Sequence, residues 1–158
     1  NNHAKRVKMA NLAQMVNVLQ AVILTDKEKM IKTPTYHVMH MYKVHQDAQL
    51  LPSKIDGNGQ FRGLPTISVS ASKDKTGKIH ISLVNIDPEN DIAVELDMPN
   101  LDIKDIEGQI LTSDKLQDHN SFDNPEKVIP KEFKDAKLRK GKISLTIPAH
   151  SLIVLEGK

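Results

Sequence analysis

Along residues 4–19 the apolar side chains recur at helical spacing. Met9, Leu12, Ala13 and Val16 fall at i, i+3, i+4 and i+7, with Val7 and Leu19 as further apolar positions. The pattern predicts a helix from Ala4 to Leu19. At "AVILT", 21–25, β-branched residues take over and predict a short buried strand, after which "DKEKMIK", 26–32, reads as a polar loop. Thr33 stands as an N-cap with Pro34 in the first turn, so a second helix is predicted to about His45.

Beyond residue 52 the period changes from helical to two. "TISVSAS" (66–72) and "KIHISLVNI" (78–86) alternate around "KDKTG", a hairpin turn, and "DIAVELDM" (91–98), "IEGQILTS" (106–113), "KISLTIP" (142–148) and "SLIVLEG" (151–157) continue the series. Strands at this spacing predict a mainly β fold, a β-sandwich preceded by a helical segment. Two long connections, 48–65 and 114–135, interrupt the strands.

Composition narrows the chemistry. The net charge is +2 on 22 basic and 20 acidic residues, which is not the footprint of a nucleic-acid binder. With no cysteine there is no disulfide, thiolate metal site or thiol nucleophile, and the pattern suits either side of a membrane. The stretch from Met9 to Leu24 is too short and too polar to span a bilayer. The start "NNHAKRVKMANLAQ" has no initiator Met and enters the helical pattern at once, so it reads as a piece cut from a longer chain.

Three clusters invite a functional reading. His37, His40 and His45 lie within "TPTYHVMHMYKVHQD", 33–47. A zinc helix presents two histidines at i, i+4 with a glutamate between; here the spacing is i, i+3, no Glu is near, and apolar neighbours surround the turn. These histidines are read as packing and hydrogen-bonding residues, with no metal. "DGNGQ", 56–60, begins like a calcium loop, but Phe61 stands at the sixth position where glycine belongs and Ile67 at the twelfth where a bidentate Glu belongs. It reads as a surface turn. "DHNSFDNPE", 118–126, gathers Asp118, His119, Asn120, Asp123 and Glu126, residues that shape loops by bonding backbone. No G-x-S-x-G, no P-loop and no nominable pair of carboxylates is present. No tryptophan is available for a sugar-stacking platform, and the five aromatics are Tyr36, Tyr42, Phe61, Phe122 and Phe133.

The runs "RVKMANLAQMVNVLQA", "TPTYHV", "YKVHQDA" and "SDKLQDHNSFDNPEKV" resemble the C-terminal part of glycoside hydrolase family 51, the α-L-arabinofuranosidases. The resemblance implies a (β/α)8 barrel running into a jelly-roll-like β-sandwich. Residues 1–45 would be the last helix, strand and helix of the barrel, 46–52 a connection and 53–158 the sandwich. It also implies a retaining mechanism on two glutamates upstream of this chain, so no catalytic residue is expected here. The loop 25–33 would rim the sugar site. In some members a glutamine after the eighth strand contacts arabinose; that position is Thr33 here, a rim contact at most. The family's sandwich borrows strand material from the protein's N-terminus. The implied partners are the rest of the barrel, an arabinose-containing glycan through it, and further copies in a homo-oligomer, with no cofactor, nucleic acid or membrane. The competing reading is a stand-alone β-sandwich binding module with a helical arm.

Overall fold

The computed structural model of the chain describes residues 3–7, 9–13, 15–99, 101 and 103–158. A hairpin comes first, β1 (Ile23–Asp26) against β2 (Lys29–Lys32), then helix α1 (Pro34–Tyr42), continued by a 3-10 turn over Lys43–His45. The strands follow: β3 (Gln49–Leu51), β4 (Gln60–Phe61), β5 (Leu64–Pro65), β6 (Ile67–Lys73), β7 (Ile79–Asn85), β8 (Ile92–Asp97), β9 (Ile106–Leu111), β10 (Lys131–Glu132), β11 (Lys137–Arg139), β12 (Lys142–Ile147) and β13 (Ser151–Gly157). Every strand predicted after residue 52 is found with ends within two residues of its expected ones.

The named strands pair with one another antiparallel, and Val16 adds an isolated parallel bridge to Ile23 of β1. A six-stranded sheet runs β10-β9-β13-β7-β6-β3 and a three-stranded one runs β11-β12-β8. Period-two alternation puts Ile79, Ile81 and Leu83 of β7, with Ile153 and Leu155 of β13, on the face toward the three-stranded sheet. There they meet Ile143, Leu145 and Ile147 of β12, and together these residues form the main core. The opposite face of the large sheet is covered too. Met41 of α1 packs there with Leu111, Val128, Leu152 and Val154. Double cover explains why β7 and β13 are buried at six of seven positions each, whereas β12 and β8 alternate inside and out.

Two expectations fail, each for a physical reason. The helix predicted over 4–19 is absent among the described residues. A single turn closes on His3, and Met15 and Asn17 bond the backbone of Val22 and Ile23 instead. No described element covers the apolar stripe: Met9, Met15 and Leu19 are exposed, Leu19 at 92%. A helix of this length without tertiary packing is marginal in water. The expected loop 26–32 is the turn and second strand of the β1–β2 hairpin, because Ile31 buries its side chain to 5% exposure between flanking lysines. The stretch 46–52, expected as a connection, also lends Gln49–Leu51 to the edge of the large sheet, paired with Lys73, Ser72 and Ala71.

Candidate functional site

The polar side chains that the fold brings together lie around α1, where it meets the outer face of the large sheet and the 114–128 loop. Thr33 caps α1. Its Oγ1 accepts from the Tyr36 amide at 3.4 Å and donates to the Ala21 carbonyl at 2.6 Å, with the Val22 carbonyl 3.1 Å away. The hydroxyl expected at the rim of a sugar site is thus committed to backbone. It fastens the helix start to the chain before β1.

The three histidines are separated in space by role. His40 stacks on Tyr36 with ring centroids 6.0 Å apart, and His37 meets the same ring edge-on at 5.4 Å. Lys32 Nζ sits 5.0 Å above that ring. His37 is pushed down from the usual histidine range, first by burial and then by Lys32 and His40. His45 turns to the sheet instead, its Nδ1 2.7 Å from Ser72 Oγ and its Nε2 2.6 Å from Ser82 Oγ. Among the described residues no group of three or more His, Asp or Glu is placed to hold a metal ion.

A second polar group, unmarked in the sequence reading, lies beside it. His80 is 4% exposed and donates Nε2–H to Asp74 Oδ2 at 3.0 Å, while its Nδ1 is 3.6 Å from Glu156 Oε2 and has no hydrogen-bond partner. Glu156 pairs with Lys78. Asp74 also accepts from the Thr76 amide and hydroxyl and the Lys78 amide, closing the "KDKTG" turn in which Gly77 supplies a φ of 94°. Those hydrogen bonds, His80's above all, hold the Asp74 carboxyl well below the usual carboxylate range. A depressed carboxylate stabilises the fold above its unfolded value of about 3.9, and that stabilisation is lost as the pH falls further. Asp74→Ala is therefore expected to lower the thermal midpoint near neutral pH, with the gap from wild type closing in melts taken progressively below about pH 4. The local sign of this group is alternation: Ser72, His80 and Ser82 are polar positions of one face, which a sandwich strand ordinarily gives to solvent and which is buried here, with His45 of the 3-10 turn against the two serines.

The remaining loop candidates serve as structure. Asn58 of the calcium-like stretch pairs with Ile67 as a strand would, donating to its carbonyl at 2.7 Å and accepting from its amide at 3.0 Å. In the 114–128 loop, Asp118 accepts from the Lys115 amide and pairs with Lys127, and Ser121 accepts from the Asn124 amide. Asn120, 2% exposed, commits both donors and its oxygen: Nδ2 donates to the carbonyls of Lys32 (2.8 Å) and Val128 (3.0 Å), and Oδ1 accepts from the Val128 amide (2.7 Å). Glu95, Glu107 and Glu132 pair with Lys142, Lys158 and Lys134 at the surface. A groove of ≈ 630 Å³ beside His80, between α1 and the β9–β10 edge, has a lining of mixed charge, including Lys43, Glu107, Lys131 and Glu132.

Comparison with known proteins places this architecture. The profile of the family described as the α-L-arabinofuranosidase C-terminal domain matches residues 1–151. An intracellular exo-α-L-arabinofuranosidase of Bacteroides ovatus is 44% identical over 98% of this chain, and the chain spans 31% of that relative's length. α-L-Arabinofuranosidase 1 of Arabidopsis thaliana is 27% identical over 82% of the chain and 19% of its own length. Among solved structures, the GH51 arabinofuranosidase from Xanthomonas axonopodis pv. citri superposes with a TM-score of 0.91 at 41% identity, covering 99% of this chain and 32% of its own. The α-L-arabinofuranosidase of Thermotoga maritima, in an arabinose complex, shares the fold at a TM-score of 0.87 and 24% identity, covering 98% of this chain and 35% of its own.

Proposed function

This chain belongs to the α-L-arabinofuranosidase C-terminal domain family, and from that premise we propose that it is the non-catalytic end of a retaining α-L-arabinofuranosidase. The whole enzyme removes terminal α-L-arabinofuranosyl groups from arabinose-containing glycans. On this reading residues 1–45 complete the catalytic barrel, 46–52 connect, and 53–158 form the sandwich that braces it. Thr33 stands at the rim of the sugar site and holds the loop there through its bonds to Ala21 and Val22.

The observation that carries the reading is the pairing of a match along nearly the whole chain with an apolar stripe left in water. Met9, Leu12, Met15, Val16 and Leu19 are exposed, yet they repeat at the spacing of a helix that buries one face. A neighbouring barrel wall is the cover such a face requires. The two sheets are also unequal, six strands against three. The apolar cleft of ≈ 720 Å³ beside the edge strand β8, lined by Ile67, Ile81, Leu96 and Met98 among others, fits a further strand from the same enzyme. Assembly of the enzyme into a symmetric homo-oligomer belongs to the same reading.

The test is hydrolysis of para-nitrophenyl α-L-arabinofuranoside by the 158-residue chain and by the full-length enzyme. Turnover by the full-length enzyme alone is expected. Turnover by the chain alone would require a carboxylate pair within it and would overturn the division of labour. An inactive but folded full-length enzyme would overturn the activity itself.

A further inference from the structure

We propose that Asn120 is the positioning residue through which the sandwich holds the segment 25–33 at the rim of the sugar site; this rests on the reading of that segment as part of the catalytic face. Lys32, whose carbonyl Asn120 takes at 2.8 Å, is the last residue of β2 and immediately precedes Thr33. The backbone at 32–33 is gripped from two sides. From within, Thr33 donates its hydroxyl to Ala21 and its amide to Val22. From the sandwich side comes Asn120, 88 residues further along the chain.

The grip is anchored in the fold. Val128, which exchanges two hydrogen bonds with Asn120, is 5% exposed and packs with Met41, Leu111, Leu152 and Val154. The large sheet is thereby linked in sequence to Val128, Asn120, Lys32 and Thr33. The side-chain type is dictated by the geometry: two carbonyls need two N–H donors from one group, and one amide needs an acceptor. Aspartate keeps the acceptor but loses both donors and sets a negative charge against two carbonyl oxygens. Serine is too short to span from Val128 to Lys32. Loss of the Lys32 bond frees the rim, whereas the main sandwich core lies on the other face of the sheet and keeps its packing.

The test uses the full-length enzyme with para-nitrophenyl α-L-arabinofuranoside. In Asn120→Asp, KM is expected to rise roughly three- to tenfold with kcat within about twofold, the pattern of lost binding that is uniform between ground and transition state. Thr33→Val acts on the same loop, so the double variant should raise KM by less than the product of the single effects. Ser121→Ala, beside Asn120 in the 114–128 loop but outside the latch, should leave KM unchanged. A folded N120D enzyme with wild-type KM overturns the latch. So does an S121A enzyme that shifts as much, since any disturbance of the loop would then suffice. An inactive wild type overturns the underlying reading instead. Where N120D does not accumulate folded, Asn120→Ser carries the same test without the charge. Hydrogen exchange in the wild type adds an independent one: the amides of Ile31 and Thr33 should open together with that of Val128, and separate openings would overturn the coupling.

Discussion

Ile153→Ala is expected to cost about 2–5 kcal/mol of folding stability, enough to remove a large part of what a domain of this size has. Ile153 is fully buried in β13, the strand that joins both halves of the large sheet. In register it lies between Leu83 of β7 and Ile110 of β9. Across the sandwich, Ile143 and Ile147 belong to the same cluster and are equally buried. Truncation removes three carbon atoms from a site bounded on each side by paired strands, which cannot collapse to fill the void, so the loss should sit in the upper part of that range. Urea unfolding of the chain measures it as a fall in the midpoint at unchanged slope. Leu19→Ala is the counterpart. At 92% exposure it should change the stability of this chain by no more than about 0.5 kcal/mol. In the full-length enzyme the same substitution should be clearly destabilising, because the proposed barrel wall would then cover the side chain. Equal and negligible effects in both settings would count against the proposed docking of 4–19.

These two leucine-like positions also mark what could be read from sequence. β13 was legible from end to end as the last of the series of short strands, and burial on both faces shows in its four consecutive apolar residues, Leu152–Leu155. The start of α1 was equally legible, since Thr33 and Pro34 specify a cap through local chemistry alone. The stripe at 4–19 misled for a different reason. Its period is real, but a period states only that one face should be covered, and nothing described in this chain covers it. β2 was missed because only Met30 and Ile31 separate its lysines, too short a window for alternation to register. At the site, Asn120 could be recognised as a loop-shaping residue. Its reach to Lys32 could not, because that bond depends on where α1 and β2 dock and not on any neighbour in sequence. His80 and Asp74 lacked even that much: six residues apart, they meet only once the turn between β6 and β7 has closed.

His45, at the end of the 3-10 turn that continues α1, fastens that turn to the sheet, and removing it should be costly. His45 bonds Ser72 and Ser82, which are 3% and 0% exposed. In His45→Ala both hydroxyls stay buried without that partner, and an imidazole-sized gap opens beside the 3-10 turn. Each buried hydroxyl left unsatisfied costs about 1–3 kcal/mol, so a loss of about 2–6 kcal/mol is expected near pH 7.5. The loss should shrink with acidity. Burial, reinforced by nearby His80, pushes His45 below the usual histidine range. The unfolded chain then binds a proton that the folded one resists, so wild-type stability falls as the pH drops below about 6.5 and levels off once folded His45 is itself protonated. The alanine variant lacks this titration, whereas His37, which is shifted the same way, contributes equally to both proteins. Urea unfolding at pH 7.5 and pH 5 should therefore give a smaller gap between wild type and H45A at the lower pH. A gap that stays constant would show that His45 is not the titrating clasp. A gap that widens would mean that protonated His45 holds the two serines better than the neutral ring, reversing the sign assigned to burial here.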